Sequence, residues 1–307
     1  MTGVQARGVR VAASTSNLGP GFDFLGLALD VWLEVQARTA DQHALATLEG
    51  TCTGWPEPAE NIFFQAFDRA RSTLGLPPLA LEVDARSEIP LGRGLGSSGA
   101  AIAAGLAMGA GWEDPSRITS EVGVLVELGA DLEGHPDNST ASLVGGCTLA
   151  IPSSSGLIVL PVDLHPDIGF AVAWPEAQVA TSEARAVLPG QVPFEDAVEN
   201  PRRFAALAEG LRSARPDLVA AGLEDTLHVR HRLPLIPGGE AALHAAREAG
   251  AWGATISGSG STLIALCAPS DADRIATILR EAFEGQGGRA WGRAVRPVHH
   301  GPLLEER

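Results

Sequence analysis

The segment from Ile89 to Ala101 constrains this chain more than any other. It reads Ile-Pro-Leu-Gly-Arg-Gly-Leu-Gly-Ser-Ser-Gly-Ala-Ala, a glycine-rich loop that runs into small, helix-forming residues. Such a loop exposes backbone N–H groups to an anion, and the N-terminus of the following helix adds partial positive charge. The two serines can add hydroxyl groups to a phosphate or to its magnesium ion. The segment predicts a phosphate site, and the alternative is a glycine-rich turn that holds no ligand.

Lysine is absent from the sequence, so all 22 basic residues are arginine. This absence excludes Schiff-base chemistry and the lysine of a Walker-A loop. A phosphate bound to this chain must therefore be held by backbone amides, by arginine or by a metal ion.

The net charge and the cysteines restrict the partners and the compartment. The formal charge of −15 argues against nucleic acid or an anionic membrane as the main partner. Cys52, Cys147 and Cys267 are far apart and are typical of buried apolar residues in a reducing compartment. Residues 1–10 lack the apolar core of a signal peptide, and no apolar run reaches the ~18 residues of a membrane helix. We expect a cytoplasmic protein with no membrane partner.

Hydrophobic periodicity predicts helices and strands in an irregular order. Strands are predicted at 9–13, 27–37, 79–85, 157–162, 168–174 and 290–298, with a strand–turn–strand unit at 251–268. Helices are predicted at 61–74, 98–109, 116–130, 182–188, 201–212, 239–249 and 271–283. Because strands and helices do not alternate strictly, an α+β fold with antiparallel sheets is favoured over a doubly wound fold. The Pro-Ser-Ser-Ser-Gly run at 152–156 is the best candidate boundary, which predicts domains at 1–152 and 153–307.

The loop from Gly94 to Gly99 also matches the GxGxxG pattern of dinucleotide-binding proteins. The surrounding sequence does not fit that interpretation, because no βαβ unit opens the chain. Glu113 and Asp114, the nearest acids downstream, come earlier than the ~20-residue spacing of a ribose-binding carboxylate. A mononucleotide site is therefore favoured, with a dinucleotide-binding oxidoreductase as the weaker alternative.

Several polar residues downstream are candidates for the same site. Glu127 lies on the predicted helix 116–130 and is either a solvated charge or a metal ligand. Asp137 and Asn138 either cap a helix or orient an attacking hydroxyl group. Arg185 and Arg232 are either surface residues or anion ligands. His228 and His231 suggest a zinc pair, but no third ligand cluster supports zinc.

Three motifs, taken in order, resemble those of homoserine kinases, a family of the GHMP kinase superfamily. Ser14 to Asp23 resembles the opening motif that distinguishes homoserine kinases from their cousins. Pro90 to Ala101 resembles the phosphate loop of the superfamily, with Gly99 where alanine is usual. Ala254 to Ser261 resembles the C-terminal glycine motif. The resemblance covers nearly the whole chain.

The resemblance implies an N-terminal domain like ribosomal protein S5 domain 2 and a ferredoxin-like C-terminal domain, with the site between them. It implies that ATP phosphorylates the hydroxyl group of L-homoserine with Mg2+, a step of threonine biosynthesis, and that the chain forms a homodimer. The alternatives are a GHMP kinase for shikimate or mevalonate and a catalytically inactive nucleotide-binding module. Mevalonate kinases place a lysine near the reacting centre, and this chain has none.

The resemblance also implies a role for each matching residue. Ser98 and Glu127 would hold the magnesium ion. The hydroxyl group would be aimed by Asp137 and Asn138, with the question of whether Asp137 also accepts the proton left open. Substrate would be bound by Asn17, Asp23, Thr181, Arg185 and Arg232. The nucleotide would be bound by Asn61, Pro90, Leu91, Gly92, Arg93, Gly94, Leu95, Gly96, Ser97, Ser98, Gly99, Ala100, Ser257, Gly258 and Gly260.

Overall fold

The computed structural model describes residues 6–306, which form two β-sheets and the helices packed on them. The first sheet contains β1 (Ala6–Asn17), β2 (Gly21–Ala40), β3 (Ala44–Gly50), β4 (Ala80–Ser87), β5 (Cys147–Ser153), β6 (Gly156–Val162) and β11 (Leu303–Glu306). The second contains β7 (Gly169–Pro175), β8 (Gly253–Ile256), β9 (Leu263–Cys267) and β10 (Ala290–Val295). The strand order is β11-β1-β2-β4-β3, with the β5–β6 hairpin on β2, in the first sheet and β10-β7-β9-β8 in the second.

The α-helices connect and cover these sheets. They are α1 (Ile62–Thr73), α2 (Ser97–Gly111), α3 (Arg117–Ser120), α4 (Val122–Glu133), α5 (Asp137–Val144), α6 (Thr181–Ala186), α7 (Phe194–Ser213), α8 (Pro216–Gly222), α9 (Val229–Arg232), α10 (Gly239–Glu248) and α11 (Ala272–Glu284). Within residues 6–306, every helix is too short or too polar to span a lipid bilayer.

Helix α2 lies at the centre of the layer formed by the first sheet and the helices packed on it, and it determines where the glycine-rich loop lies. It is buried from Gly99 to Gly111, between β1 and the helices α1, α4 and α5. Its small residues let neighbouring backbones come close, because a Cβ at Gly105 would collide with the carbonyl of Phe63 on α1. The loop that precedes α2 is therefore held against a rigid core.

The second layer consists of the second sheet, which is antiparallel, and of the helices α10 and α11 that cover it. The inner face of α11 buries Ile275, Leu279 and Phe283, as its period of 3.6 residues predicts. The predicted α+β class is confirmed: within residues 6–306, all strand pairs are antiparallel except β3 with β4. Residues 44–50 were not predicted to form a strand because β3 is largely exposed and lacks apolar alternation.

Other differences from the predicted elements have local causes. The predicted helix 116–130 is two helices, and α4 runs on to Glu133, where Gly134 adopts a φ of 80° and ends it. Helix α7 begins seven residues before Pro201, at Phe194.

The predicted domain boundary lies in the β5–β6 hairpin. Residues 153–156 form its turn, and β6 pairs along its length with β5. Strand β11 at the C-terminal end also joins the first sheet, paired with β1. The first sheet thus takes strands from both sides of residue 152, and the division into 1–152 and 153–307 stays a prediction.

Candidate active site

A cleft of about 380 Å³ brings most of the predicted site residues together. It is bounded by the glycine-rich loop, by the β1–β2 turn, by the start of α1 and by the connection between α4 and α5. Helices α6 and α9 close its other side. The predicted residues that line it are Asn17, Asp23, Asn61, Leu91, Gly92, Arg93, Gly94, Gly96, Ser97, Ser98, Asp137, Asn138, Thr181, Arg185, Arg232 and Gly258.

The glycine-rich loop is built from left-handed turns. Gly92, Gly94 and Gly96 have φ angles of 62°, 76° and 65°, a region that residues with a Cβ seldom adopt. Gly96 is the N-cap of α2 and supplies no side-chain cap. The first N–H groups of α2 therefore have no partner within the helix and are available to an anion in the cleft.

The C-terminal glycine motif packs directly under this loop. Ser257 Oγ lies 2.6 Å from the carbonyl oxygen of Gly94, to which it donates. A Cβ at Gly94 would collide with the carbonyl of Ser257, so only glycine permits the contact. The motif thus supports the loop from below.

The remaining predicted nucleotide residues lie in the loop, in the first turn of α2 or in the C-terminal glycine motif, and they do not line the cleft. They are Pro90, Leu95, Gly99, Ala100, Ser257 and Gly260. Leu95 is fully buried. A Cβ at Gly99 would lie 2.9 Å from the Cβ of Asn138, so glycine lets α2 approach α5 closely. This contact explains the glycine where alanine is usual in the family motif.

Trp55 is a cleft residue that the sequence analysis missed. It lines the cleft beside Pro56, Asn61 and Ile62, and its ring stacks on Phe63 with centroids 6.0 Å apart. Asn61 caps α1, because its Oδ1 accepts a hydrogen bond from Phe63 N at 2.9 Å. An aromatic residue in a proline-containing loop just before a helix was the available signal for this wall.

The carboxylate beside Ser98 is Glu133, not Glu127. Ser98 Oγ donates to Glu133 Oε1 at 3.0 Å, and Ser139 N donates to Glu133 Oε2 at 3.0 Å. Burial raises the pKa of Glu133 to about 7.

Glu127 lies outside the cleft, where its Oε1 accepts a hydrogen bond from Leu157 N at 3.2 Å. The structure therefore contradicts the predicted pairing of Glu127 with Ser98. The reason is geometric: six residues turn an α-helix through roughly 600°, which puts Glu127 and Glu133 on different sides of α4. Glu133 lies beyond residue 130, where the predicted helix ends, and the extra turn of α4 brings it to the cleft.

Asp137 and Asn138 are buried at the start of α5 and are held by their neighbours. Asp137 Oδ1 lies 2.7 Å from His135 Nδ1 and accepts from Asn138 N at 2.7 Å. Asn138 Oδ1 accepts from Ser14 Oγ, and Asn138 Nδ2 donates to Ser16 Oγ, both at 3.0 Å. The N-cap position is Pro136, so the capping interpretation of this pair is not supported. Burial opposes the charge of His135, but Asp137 raises its pKa on balance.

Asp23 and Arg185 form a bidentate ion pair at the far end of the cleft. The two N–O distances are 2.8 and 2.9 Å. Asp23 N donates to Asn17 Oδ1 at 3.0 Å, and Asn17 Nδ2 donates to the carbonyl of Gly258 at 2.9 Å. Thr181 begins α6, the helix that carries Arg185.

Arg232 is a buried cation next to this pair. Its Nε donates to the carbonyl of Ala184 at 3.1 Å, and its guanidinium lies 4.9 Å from the ring centroid of Phe22. Among the residues that the structure describes, none of the ion pairs includes Arg232. Burial and the charge of Arg185 lower the pKa of Arg232 to about 10. A cation in this position attracts an anionic group into the cleft.

Comparison with known proteins identifies the family. The family model described as "GHMP kinases N terminal domain" matches residues 61–146, and the model described as "GHMP kinases C terminal" matches residues 197–285. The homoserine kinase of Synechococcus sp. (strain RCC307) is 39% identical over 287 residues, which cover 91% of this chain and 90% of that protein. The chain belongs to the homoserine kinase family of GHMP kinases. The homoserine kinase of Moorella thermoacetica agrees, with 36% identity over 96% of this chain and 99% of that protein.

Solved structures confirm the predicted fold of this homoserine kinase family member. The homoserine kinase from Cytophaga hutchinsonii superposes with a TM-score of 0.87 at 27% identity, covering 98% of this chain and 97% of that one. A mevalonate kinase superposes with a TM-score of 0.68 at 12% identity, covering 95% and 99%, which shows the shared fold alone. The predicted family, GHMP kinase fold and kinase class are thus confirmed.

Proposed function

We propose that this chain transfers the γ-phosphoryl group of ATP to the hydroxyl group of L-homoserine, giving ADP and O-phospho-L-homoserine. One observation carries the proposal: a single cleft joins an amide-lined anion site to a buried arginine, which lies beside an aspartate and has no ion pair in the part of the chain that the structure describes. The first end suits a polyphosphate, and the second suits a zwitterion. Relatives named homoserine kinase, such as those from two Synechococcus strains at 39% and 40% identity, support it.

The backbone amides around Gly94, Gly96 and the start of α2 hold the phosphates in this proposal. Neutral amides aimed by a rigid loop stabilise the charge of the transferred group without rearrangement. Trp55 and Ile62 then offer an apolar surface for the adenine ring. Because Asn61 is engaged in capping α1, it shapes this pocket mainly by placing Ile62.

Ser98 and Glu133 fit a magnesium ion. Their hydroxyl and carboxylate oxygens are the hard donors that Mg2+ prefers, and such sites usually take one or two carboxylates with the substrate phosphates. When bound, the ion neutralises charge that develops on the transferred phosphoryl group. We propose Ser98 and Glu133 as its protein ligands in place of Ser98 and Glu127.

The charged end of the cleft orients the amino acid. Arg232 binds the substrate carboxylate from one side, and Arg185 adds donors that its pair with Asp23 leaves free. Asp23 and the amide of Asn17 bind the ammonium group. An amino acid that lacks either charge leaves a buried partner unsatisfied, which costs about 1–3 kcal/mol or more.

Asp137 orients the acceptor hydroxyl group in this proposal. Its Oδ1 is occupied by His135 and Asn138, whereas its Oδ2 makes no hydrogen bond among residues 6–306. Oδ2 is therefore the atom that can accept a hydrogen bond from the substrate. A loose transition state needs positioning more than proton removal, since the phosphoryl group itself can take the proton late.

A panel of acceptors tests the function. Release of ADP would be measured with L-homoserine, L-serine, L-threonine, shikimate and mevalonate, each with ATP and Mg2+. We expect turnover with L-homoserine far above the others. Activity with shikimate or mevalonate alone would overturn the proposed substrate. ATP binding without release of ADP in the presence of any of these acceptors would indicate an inactive nucleotide-binding module.

We also propose a cytoplasmic enzyme that forms a homodimer. Three free, buried cysteines support a reducing compartment. The homodimer is supported by the family resemblance, and light scattering after gel filtration tests it: a mass of one chain at micromolar concentration would contradict it.

A further inference from the structure

His228 is a buried histidine that the proposed reaction does not use. Its side chain is 1% exposed and it directly precedes α9, four residues before Arg232. Its Nε2 lies 2.9 Å from the carbonyl oxygen of Gly19, and its Nδ1 lies 3.4 Å from Arg232 Nη1. The ring thus bridges the β1–β2 turn and the buried cation.

The two contacts determine which ring nitrogen carries the proton. The carbonyl of Gly19 can only accept, so Nε2 carries hydrogen and donates. The guanidinium of Arg232 can only donate, so Nδ1 must be the unprotonated acceptor. Burial lowers the pKa of His228, which agrees with a neutral ring.

The Gly19 end of the bridge belongs to a strained turn. Asn17 and Asp23 adopt φ angles of 71° and 62°, which are uncommon for residues with a Cβ. Such conformations persist only where surrounding contacts hold them. The contact of His228 with Gly19 and the bond from Asn200 Nδ2 to the carbonyl of Pro20, at 3.2 Å, are two such contacts.

The backbone that carries the bridging imidazole is held by Asp225. Its Oδ1 accepts from the N–H groups of Leu227, His228 and Val229 at 3.1, 2.6 and 2.8 Å. These three bonds fix the backbone that enters α9. Asp225 therefore fixes the backbone position from which the imidazole reaches Gly19 and Arg232.

We propose that His228 is a positioning residue: as the Nε2–H tautomer, it fixes Arg232 relative to the Asn17–Asp23 turn. This rests on the proposed function, in which the turn receives the ammonium group and Arg232 the carboxylate of one small amino acid. The distance between Arg232 and the Asn17–Asp23 turn then decides whether the carboxylate and the ammonium group of the substrate can both be bound. Without the imidazole, Arg232 keeps only carbonyl acceptors, and the turn loses one of its supports.

Three variants separate the two contacts. His228→Asn keeps a polar atom near the position of Nδ1 and loses the donor to Gly19. His228→Gln keeps a donor near the position of Nε2 and loses the acceptor for Arg232. His228→Leu loses both. His231→Leu is the matched control, because His231 lies on α9 and its ring is hydrogen-bonded only to the Arg230 side chain among the described residues.

The readout is the Michaelis constant for each substrate, measured well below the melting temperature of every variant. We expect His228→Leu to raise the KM for L-homoserine about tenfold or more, as loss of about 1.4 kcal/mol would. The KM for ATP should stay within about twofold, and His228→Asn and His228→Gln should each recover part of the loss. An unchanged homoserine KM, or an equal rise in both KM values, would overturn the proposal.

A double-mutant cycle with Arg232→Met tests the route of the effect. If His228 acts through Arg232, adding His228→Leu to Arg232→Met lowers kcat/KM for homoserine less than it does in the wild type. An equal loss in both backgrounds would overturn the route through Arg232.

Calorimetric binding of L-homoserine needs no turnover and keeps the two proposals distinguishable. Equal affinity of wild type and His228→Leu overturns the role of His228 even in an active kinase. If the wild type binds L-homoserine more tightly than His228→Leu does but shows no turnover, only the proposed function is overturned.

Discussion

In the proposed function, the two ends of the cleft bind anions by opposite means. The phosphate end uses backbone amides displayed by glycines in left-handed conformations. Its one arginine, Arg93, donates to the carbonyls of Leu91, Pro175 and Glu176. The acceptor end uses ionised side chains: Arg185 is paired to Asp23, and Arg232 has no carboxylate partner among residues 6–306.

The difference shows how each kind of site is assembled. The amides come from one short segment, carry no net charge and need no counter-ion when the cleft is empty. The charged end joins residues that lie 162 positions apart, such as Asp23 and Arg185. It must also keep a cation buried, at a cost that its ligand offsets. The phosphate end is therefore encoded locally, and the acceptor end is encoded by the tertiary fold.

The largest expected effect comes from a side chain in the amide site. Gly94→Ala would collide with the carbonyl of Ser257, whereas a Cβ at Gly92 meets only the flexible Gln178 side chain at 3.5 Å. Both positions have positive φ, so both variants lose roughly 1–2 kcal/mol of stability for that reason. We expect Gly94→Ala to lose about 3 kcal/mol or more in total and kcat/KM for ATP to fall at least ~10³-fold.

Thermal melts measure the stability of Gly94→Ala and of its control Gly92→Ala, and initial rates measure kcat/KM for ATP in both variants. Equal losses in both variants would mean that backbone conformation matters but the contact with the Ser257 motif does not.

Arg232→Met should show the second-largest effect and confine it to the charged end. We expect the homoserine KM to rise about 10²-fold, since a desolvated charge contact is worth about 2–5 kcal/mol. The KM for ATP should change less than about twofold. Unfolding in urea should show equal or higher stability, because a buried cation without a carboxylate partner is removed.

Arg185→Met is the matched comparison, because it leaves Asp23 without its bidentate partner. It should raise the homoserine KM and also lower stability. A loss of ATP affinity in either variant would break the division between the two ends.

Asp137→Asn tests the point where the two ends meet. As an orienting residue, Asp137 contributes to binding and to turnover, so we expect a roughly tenfold rise in the homoserine KM together with a roughly tenfold fall in kcat. Steady-state kinetics over a range of both substrates measures this. An unchanged homoserine KM with kcat lower by ~10³-fold would instead identify Asp137 as a general base.

Arg93→Met should have the smallest effect on activity. Because its guanidinium binds backbone carbonyls, we expect a loss of about 1–3 kcal/mol in the free energy of unfolding. The KM for ATP should rise less than about fivefold. A rise near 100-fold at unchanged stability would show that Arg93 binds phosphate directly, and the contrast between the two ends would fail.

Particular residues show how far the sequence could predict the site. The loop at 89–101 was predictable because glycine, helix start and hydroxyl groups are adjacent in the chain. Glu133 was not, since its place depends on α4 continuing one turn further and ending at Gly134. The wall formed by Trp55 and the bridge formed by His228 depend on contacts with distant segments, which periodicity does not reveal.

By itself the sequence determined that any phosphate site must be made of amides, arginine or metal, because the chain contains no lysine. It also determined the α+β class, because the order of its apolar patterns excludes strict alternation. Only the tertiary structure decided which carboxylate stands beside Ser98 and which arginine is left unpaired. The physical reason is that hydrogen bonding by a glycine loop is local, whereas burial and charge pairing depend on what the fold brings within a few ångströms.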